Sequence, residues 1–246
     1  MGRVLRKVLI IIFSAVFIFS AGMIAKNFYE AKKSEKVFTE ISGLVKEEKE
    51  SETTKALSAK EMYADLYTRN NDFAGWIKID GTNIDYPVMQ SKDRPDYYLR
   101  RNFDKEYSYY GIPYIAEACD IDVSQNTVIY GHNMLNGTLF SALENYKSKS
   151  FFESHQTFRF DTLYGYGTYQ IFCVFMSDIN DDFPYHQFIN AYNEDDFNSF
   201  IAECKKRQIY DTGVPVAYTD KLVTLSTCEY TRDGGRLIVV AKKVTD

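Results

Sequence analysis

The strongest constraint in this sequence is a cysteine at the end of one apolar segment, followed shortly by an arginine at the start of the next. Residues 221–225 are rich in β-formers and lead to Cys228, while the Gly-Gly pair at 234–235 indicates a turn before Arg236. The pattern predicts a β-hairpin that holds a thiol and a guanidinium on neighbouring strands. An isolated cysteine would more often be a small buried hydrophobe.

Other motifs argue against interpreting Cys228 as a small buried hydrophobe. Residues 224–228 read Thr-Leu-Ser-Thr-Cys, and residues 127–133 read Thr-Val-Ile-Tyr-Gly-His-Asn. Further segments of the same kind lie upstream: Trp76-Ile77, Ile84-Asp85-Tyr86-Pro87-Val88, Tyr97-Tyr98-Leu99 and Gly111-Ile112-Pro113-Tyr114-Ile115. Together with Arg236, these motifs resemble those of the sortases, cysteine transpeptidases of the Gram-positive cell surface. They are most similar to the class B branch, over roughly residues 72–244.

The fold is expected to be mainly β with helical additions. Many short apolar segments after residue 76 are separated by turn residues, a pattern typical of a closed barrel or a sandwich. The resemblance implies the first of these: a closed sortase-type β-barrel with N-terminal helices and a helix inserted before the cysteine strand.

Three helical segments are predicted around these strands. Residues 193–208 begin with a good N-cap and acidic residues and end with basic ones, and they carry an apolar stripe. This segment corresponds to the helix that the resemblance implies before the cysteine strand, which forms one wall of the substrate groove in that family. Residues 138–146 are predicted to form a short helix, and residues 57–73 have helical spacing that indicates packing on the domain.

The N-terminus has the pattern of a membrane anchor. Arg3, Arg6 and Lys7 precede an uncharged apolar segment at 8–25, whose 18 residues span most of a ~30 Å hydrocarbon core. The basic flank predicts a cytoplasmic N-terminus and a single pass, with the remainder of the chain extracellular. Small residues at 20–22 leave a cleaved signal peptide as the alternative.

The chain is divided accordingly into three parts. Residues 1–25 are the predicted anchor, residues 26–60 a charged stalk, and residues 61–246 the sortase catalytic domain. The net charge of −5 and the lack of a basic, aromatic-interleaved patch argue against nucleic acid as a partner.

The four cysteines allow two interpretations. On an exported chain, Cys119, Cys173, Cys204 and Cys228 could form two disulfides. However, a domain of this size needs no such cross-links, and a catalytic Cys228 would leave an odd number, so three buried free thiols are expected. Neither Cys-x-x-Cys nor His-Glu-x-x-His spacing occurs, so no metal and no cofactor are predicted.

The resemblance assigns the catalytic roles. Cys228 is the expected nucleophile, His132 the proton shuttle, and Arg236 the group that holds the substrate carbonyl. The other histidines, His155 and His186, lie in polar or loop segments and are expected to be exposed to solvent.

The resemblance also suggests residues that contact the substrate. Ser226 and Glu229 flank the nucleophile and are expected to line the peptide site. Leu99 and the Phe-Pro-Tyr segment at 183–185 are expected to form groove walls.

The implied function is that of a membrane-anchored cysteine transpeptidase. It would cleave a C-terminal sorting motif of surface proteins after Thr through a thioacyl-enzyme, and transfer the acyl group to an amine of a peptidoglycan precursor. The expected partners are sorting-motif peptides, that amine and the membrane. Two alternatives remain: a non-catalytic, membrane-tethered binding module, and a cysteine hydrolase that uses water as the acceptor.

Overall fold

Eight strands form a closed barrel in the computed structural model, which describes residues 2–45, 57–178 and 180–244. The strands are β1 (Phe73–Lys78), β2 (Asp85–Met89), β3 (Tyr114–Ile115), β4 (Asn126–Tyr130), β5 (Thr157–Thr162), β6 (Thr168–Ser177), β7 (Leu222–Cys228) and β8 (Arg236–Lys243). Their order around the barrel is β1-β2-β3-β4-β7-β8-β6-β5. The barrel predicted from the resemblance is confirmed, and the sandwich is not formed.

The buried side chains of β6 and β8 pack into two apolar clusters, one inside the barrel and one on its outer face. On β8, Leu237 and Val239 point into the barrel core, whereas Ile238 and Val240 belong to a cluster on its outer face. Side chains of a strand alternate between its two faces, so a strand buried on both faces appears in the sequence as one continuous apolar segment. This explains why β8 shows no polar alternation.

The outer cluster is covered by helix α5 (Glu194–Arg207). The Asn193 side chain caps the helix by accepting a hydrogen bond from the Asp196 amide at 2.9 Å. Phe197 and Phe200 are buried against the barrel. The helix predicted before the cysteine strand is therefore confirmed, including its N-cap and its apolar face.

The other predicted helical segments differ in detail. The segment expected at 138–146 is a 3-10 helix at Phe140–Lys147, followed by α4 (Lys149–Ser154). The segment at 57–73 contains two short helices, α2 (Ala59–Met62) and α3 (Ala64–Arg69), and its end enters β1. Two further 3-10 helices among the described residues cover Tyr97–Arg100 and Tyr185–Gln187.

Helix α1 (Arg3–Ser42) is continuous through the apolar segment and beyond it. By length and composition alone it is suited to cross a membrane, and its most apolar window is not buried in the protein. Its later part contacts the domain on one face, because Ile41 is fully buried and the Phe38 ring packs edge-on against Tyr86 at 4.8 Å. Residues 46–56 of the predicted stalk lie outside the described residues.

Candidate active site

Parallel pairing of β4 with β7 brings the predicted histidine and cysteine to the same edge of the barrel. The Gly131 amide donates a hydrogen bond to the Ser226 carbonyl at 3.1 Å, and the Thr227 hydroxyl donates to the Gly131 carbonyl at 2.7 Å. His132 follows this ladder directly, and Cys228 ends it on the neighbouring strand. The carboxyl ends of parallel strands meet at one edge, so two residues that are distant in sequence become neighbours.

Antiparallel pairing of β7 with β8 places Arg236 directly opposite Cys228. The predicted hairpin is therefore confirmed. Arg236 donates from one terminal nitrogen, Nη1, to the carbonyls of Gly234 and Gly235 at 3.3 and 3.0 Å. A guanidinium has five N–H donors, so others are available to a substrate oxygen.

Most of the predicted site residues line one pocket of about 410 Å³. We call it the first pocket, and it brings together Cys228, His132, Arg236, Ser226 and Leu99. Other residues that line it were not predicted from the sequence: Asp96, Ile112, Tyr114, Glu117, Tyr130, Asp178 and His186. Asp178 follows β6, whose end pairs with the start of β8, so a polar residue just after a strand was the available signal.

The His132 ring is held by the main chain. Its Nε2 lies 2.9 Å from the carbonyl oxygen of Leu99. Because a carbonyl oxygen only accepts hydrogen bonds, Nε2 carries a proton, and Nδ1 is the basic nitrogen of the neutral ring. Gly111, with φ of +60°, passes so close that a Cβ there would lie 2.4 Å from the same oxygen. Leu99 therefore positions the histidine as well as lining the pocket.

Burial lowers the pKa of His132 below its usual value of 6.5. The hydrogen bond to Leu99 acts in the opposite direction, whereas the charges of Arg100 and Arg236 lower the pKa further. The neutral imidazole is thus favoured in the unliganded protein, and Arg236, opposite Cys228 on β8, is a permanent cation.

Ser226 lies at the floor of the first pocket and is hydrogen-bonded to Tyr185. The two hydroxyl oxygens are 2.8 Å apart, and the side chains are 1% and 6% exposed. Tyr185 belongs to the segment at 183–185 that was expected to form a groove wall, and it does line the first pocket.

Glu229 is not placed where the resemblance suggested. It is 2% exposed and is not among the described residues that line the first pocket. Its carboxylate accepts hydrogen bonds from Lys147 at 2.6 Å and from the amide and hydroxyl of Thr231. Burial alone would raise the pKa of Glu229, but these donors outweigh it and lower the pKa. Glu229 holds the loop after β7 rather than the peptide site.

This ionic contact continues towards Cys228. Lys147 also pairs with Glu144 at 2.6 Å, and Glu144 accepts from the Asn133 side chain at 3.3 Å. Asn133 in turn donates to the carbonyl of Cys228 at 2.9 Å. The 3-10 helix that carries Lys147 is thereby connected to the segments that follow β4 and β7.

The cysteines separate into two environments. Cys119, Cys173 and Cys204 are free thiols and fully buried, as predicted, and Cys228 is half-exposed. Burial raises the pKa of Cys119 to about 11 and that of Cys173 to about 12, and it raises the pKa of Cys204 well above its usual value. The thiolate is the reactive form, so these three thiols are inert by comparison with an accessible one.

The remaining histidines differ from the expectation in different ways. His155 is only half-exposed, since its ring stacks on Phe151 at 4.0 Å and Nδ1 lies 3.0 Å from that residue's carbonyl. His186 is exposed as predicted but lines the first pocket.

An accessible cysteine, a histidine and an arginine that meet at one edge of a closed barrel define a site for cysteine-dependent acyl transfer. The family described as "Sortase domain" matches residues 77–244. The chain is 31% identical to sortase B of Listeria monocytogenes over 245 residues, which is 98% of this chain and 97% of the relative. It is 33% identical to sortase B of Staphylococcus aureus over 186 residues, covering 74% of this chain and 75% of that one.

The fold comparison agrees with the sequence comparison. The solved Staphylococcus aureus sortase B–substrate complex superposes with a TM-score of 0.76 at 29% identity, covering 90% of this chain and 99% of that one. The chain belongs to the sortase family and is a cysteine transpeptidase of class B. This finding excludes the interpretation as a non-catalytic binding module.

Proposed function

We propose that this transpeptidase is anchored in a membrane by helix α1 and acts on peptides outside it. The substrate would be a C-terminal sorting motif of a surface protein, cleaved after Thr, and the acceptor an amine of a peptidoglycan precursor. The observation that carries the proposal is the meeting of Cys228, His132 and Arg236 at the ends of β4, β7 and β8. The solved relative bound to its substrate supports a peptide as donor.

In the first half of the reaction, the sulfur of Cys228 attacks the carbonyl carbon of the Thr. The thiol proton passes to His132, whose lowered pKa leaves the ring neutral and able to accept it. Negative charge develops on the carbonyl oxygen, and the guanidinium of Arg236 stabilises it. The peptide bond breaks, and His132 protonates the leaving amine.

In the second half, the acceptor amine attacks the thioester carbon. A C–N bond forms, the C–S bond breaks, and the electron pair stays on the sulfur of Cys228. The amine proton passes to His132, and Arg236 again binds the oxygen. Both halves need the same three side chains, so one set of residues carries out both cleavage and ligation.

Ser226 and Leu99 are proposed to contact the donor peptide, because both line the first pocket beside Cys228. The Ser226 hydroxyl is oriented by Tyr185, and the Leu99 carbonyl is already occupied by His132. Any contact of Leu99 with the peptide would therefore come from its side chain. Glu229 is not proposed as a substrate contact.

The test uses donor peptides from a Thr-containing library and follows the mass of the intact protein. Wild type should gain the mass of the acyl fragment, and Cys228→Ala should not. Cys173→Ala serves as the matched control, because that thiol is buried with a raised pKa and should be dispensable. An active Cys228→Ala protein would contradict the proposal.

The same assay distinguishes the acceptor. Added triglycine should convert the acyl-enzyme into a ligated product faster than water hydrolyses it. If hydrolysis is unaffected by the amine, the enzyme is a cysteine hydrolase rather than a transpeptidase on these substrates.

A further inference from the structure

A second pocket, of about 570 Å³, meets the first at the catalytic residues. Cys228 and His132 line both pockets, whereas Arg236, Ser226 and Leu99 line the first and are not among the residues that line the second. Away from Cys228 and His132, the lining of the second pocket includes Asn27, Glu30, Arg100, Tyr109, Leu135 and Tyr230. A transpeptidase needs places for two substrates at one sulfur, and this geometry supplies two.

One wall of the second pocket comes from helix α1. Asn27 and Glu30 lie on that helix, just after the apolar segment that ends at Ala25. Glu30 is half-buried and is the acidic side chain among the pocket's described lining residues. A carboxylate at this position favours an acceptor that arrives as an ammonium ion.

The position of this wall is fixed by contacts further along the helix. Lys33 pairs with Glu106 at 3.2 Å, Phe38 packs on Tyr86, and Ile41 is fully buried. Since α1 is one uninterrupted helix, these contacts also fix the direction in which its apolar segment leaves the domain.

The second pocket therefore lies at a defined height above the apolar segment. At a rise of ~1.5 Å per residue, Asn27 and Glu30 lie about 3 and 8 Å past Ala25 along the axis. The headgroup layer of a bilayer extends about 5–7 Å beyond the hydrocarbon core on each side. With α1 spanning the membrane, the pocket opens at headgroup level.

The rim of the pocket has the composition of a membrane interface. Tyr109 is 53% exposed, Tyr230 is 65% exposed and Leu135 is fully exposed. The guanidinium of Arg100 lies over the Tyr109 ring at 4.9 Å. Exposed tyrosines of this kind are enriched at membrane–water interfaces.

We propose that the second pocket binds the acceptor, and that its α1 wall selects a primary amine carried at the membrane surface. This inference rests on the proposed transpeptidase function and names where its second substrate binds. The acceptor would enter as an ammonium beside Glu30 and release one proton to water. Its nitrogen then attacks the thioester at Cys228 and passes the second proton to His132.

The first test compares Glu30→Gln with Glu35→Gln in the full-length protein. Both remove one negative charge from α1, but Glu35 does not line the second pocket. Glu30→Gln should raise the KM for triglycine about fivefold, the upper end for a partly exposed ion pair, while the rate of acylation by the donor stays unchanged. Glu35→Gln should change neither.

The second test moves the pocket away from the bilayer. Inserting four alanines between Ala25 and Lys26 adds about 6 Å and turns the helix by only about 40°. In phosphatidylcholine vesicles, transfer to lipid-coupled triglycine should fall by about tenfold, whereas transfer to soluble triglycine should not change. The same insertion between Gly2 and Arg3 is the control and should leave both rates unchanged.

The outcomes separate the two proposals. If wild type forms no acyl-enzyme, the proposed function fails and this assignment fails with it. If acylation is normal but Glu30→Gln and Glu35→Gln have equal KM values for triglycine, the second pocket does not bind the acceptor. If the insertion after Ala25 slows soluble and lipid-coupled amines equally, the membrane does not present the acceptor.

Discussion

The two pockets that meet at Cys228 are built from different parts of the chain. The first is lined at its base by strand ends and by residues next to them, and its geometry follows from the hydrogen-bonded register of β4, β7 and β8. The second is lined by loops and by α1. With the proposed roles, the donor carbonyl reacts on the side that the barrel register fixes, and the acceptor binds on the side formed by loops and α1.

The largest effect is expected where the barrel register positions a charge. Arg236→Ala and Arg236→Lys should each slow acylation about 100- to 1,000-fold, because a directed oxyanion donor is lost and Lys lacks the planar fork. Single-turnover mass spectrometry measures this rate. Arg232→Ala is the control, since Arg232 is exposed and pairs with Asp178 at 3.4 Å, and it should have little effect. The reverse ranking would show that the arginine opposite Cys228 does not act on the donor.

A smaller effect is expected at the ionic contact between Lys147 and Glu229. Lys147→Met leaves the buried Glu229 carboxylate without its main partner and should lower the free energy of unfolding by about 2 kcal/mol. That is less than the ~3–5 kcal/mol typical of a fully buried pair, because Lys147 is partly exposed. Urea denaturation measures the change, and Lys149→Met, at an exposed position, is the control.

The pH dependence of this effect has a definite sign. The folded-state pKa of Glu229 is below 4.5, so its ionisation stabilises the fold above that pH, and this stability is lost as pH falls through the folded-state pKa. The difference between wild type and Lys147→Met should therefore shrink in acid. A constant difference would contradict an ionic origin.

A still smaller effect is expected at the floor of the first pocket. Tyr185→Phe removes the buried hydrogen bond to Ser226 and should cost about 1 kcal/mol of stability. Acylation should be slowed by less than the Arg236 variants, since no group that contacts the reacting atoms is lost. Thermal or urea denaturation tests this against Tyr192→Phe, which alters an exposed tyrosine. A loss of acylation comparable with Arg236→Ala would place Tyr185 among the catalytic residues.

The smallest change is expected in the titration of His132. Burial, with the charges of Arg100 and Arg236, keeps its pKa below 6.5, and Arg236→Gln should move it upwards because one nearby positive charge is removed. NMR of labelled histidine, assigned with His132→Ala, measures both values. A downward shift in Arg236→Gln would show that Arg236 does not face the ring.

What could be predicted from the sequence is the part of the site that depends on strand ends. The β-formers before His132 and Cys228 indicate strands, and the motifs supply the expectation that these strands are neighbours. Helix α5 could be predicted equally well, because its N-cap, charges and apolar stripe are local features of the sequence.

What could not be predicted depends on contacts between distant segments. The Leu99 carbonyl holds His132 across 33 positions, and a backbone group has no signature in residue type. Glu229 was expected in the peptide site because it is polar and adjacent to Cys228. In the structure its carboxylate instead accepts a hydrogen bond from Lys147, which is distant in sequence. Ile41 lies in a charged segment that predicts solvation, and only the docked helix shows its burial.

The burial of three of the four thiols also determines how the enzyme responds to oxidants. Cys119, Cys173 and Cys204 are enclosed in the apolar cores, so Cys228 has no accessible thiol within the chain with which to form a disulfide. Oxidation of Cys228 would give a sulfenic acid, which an external thiol can reduce by way of a mixed disulfide but which further oxidant converts irreversibly to sulfinic and sulfonic acids. Recovery from oxidative inactivation should therefore require an external thiol that reaches Cys228 before a second equivalent of oxidant does, and the fold should stay intact because the buried thiols are not attacked.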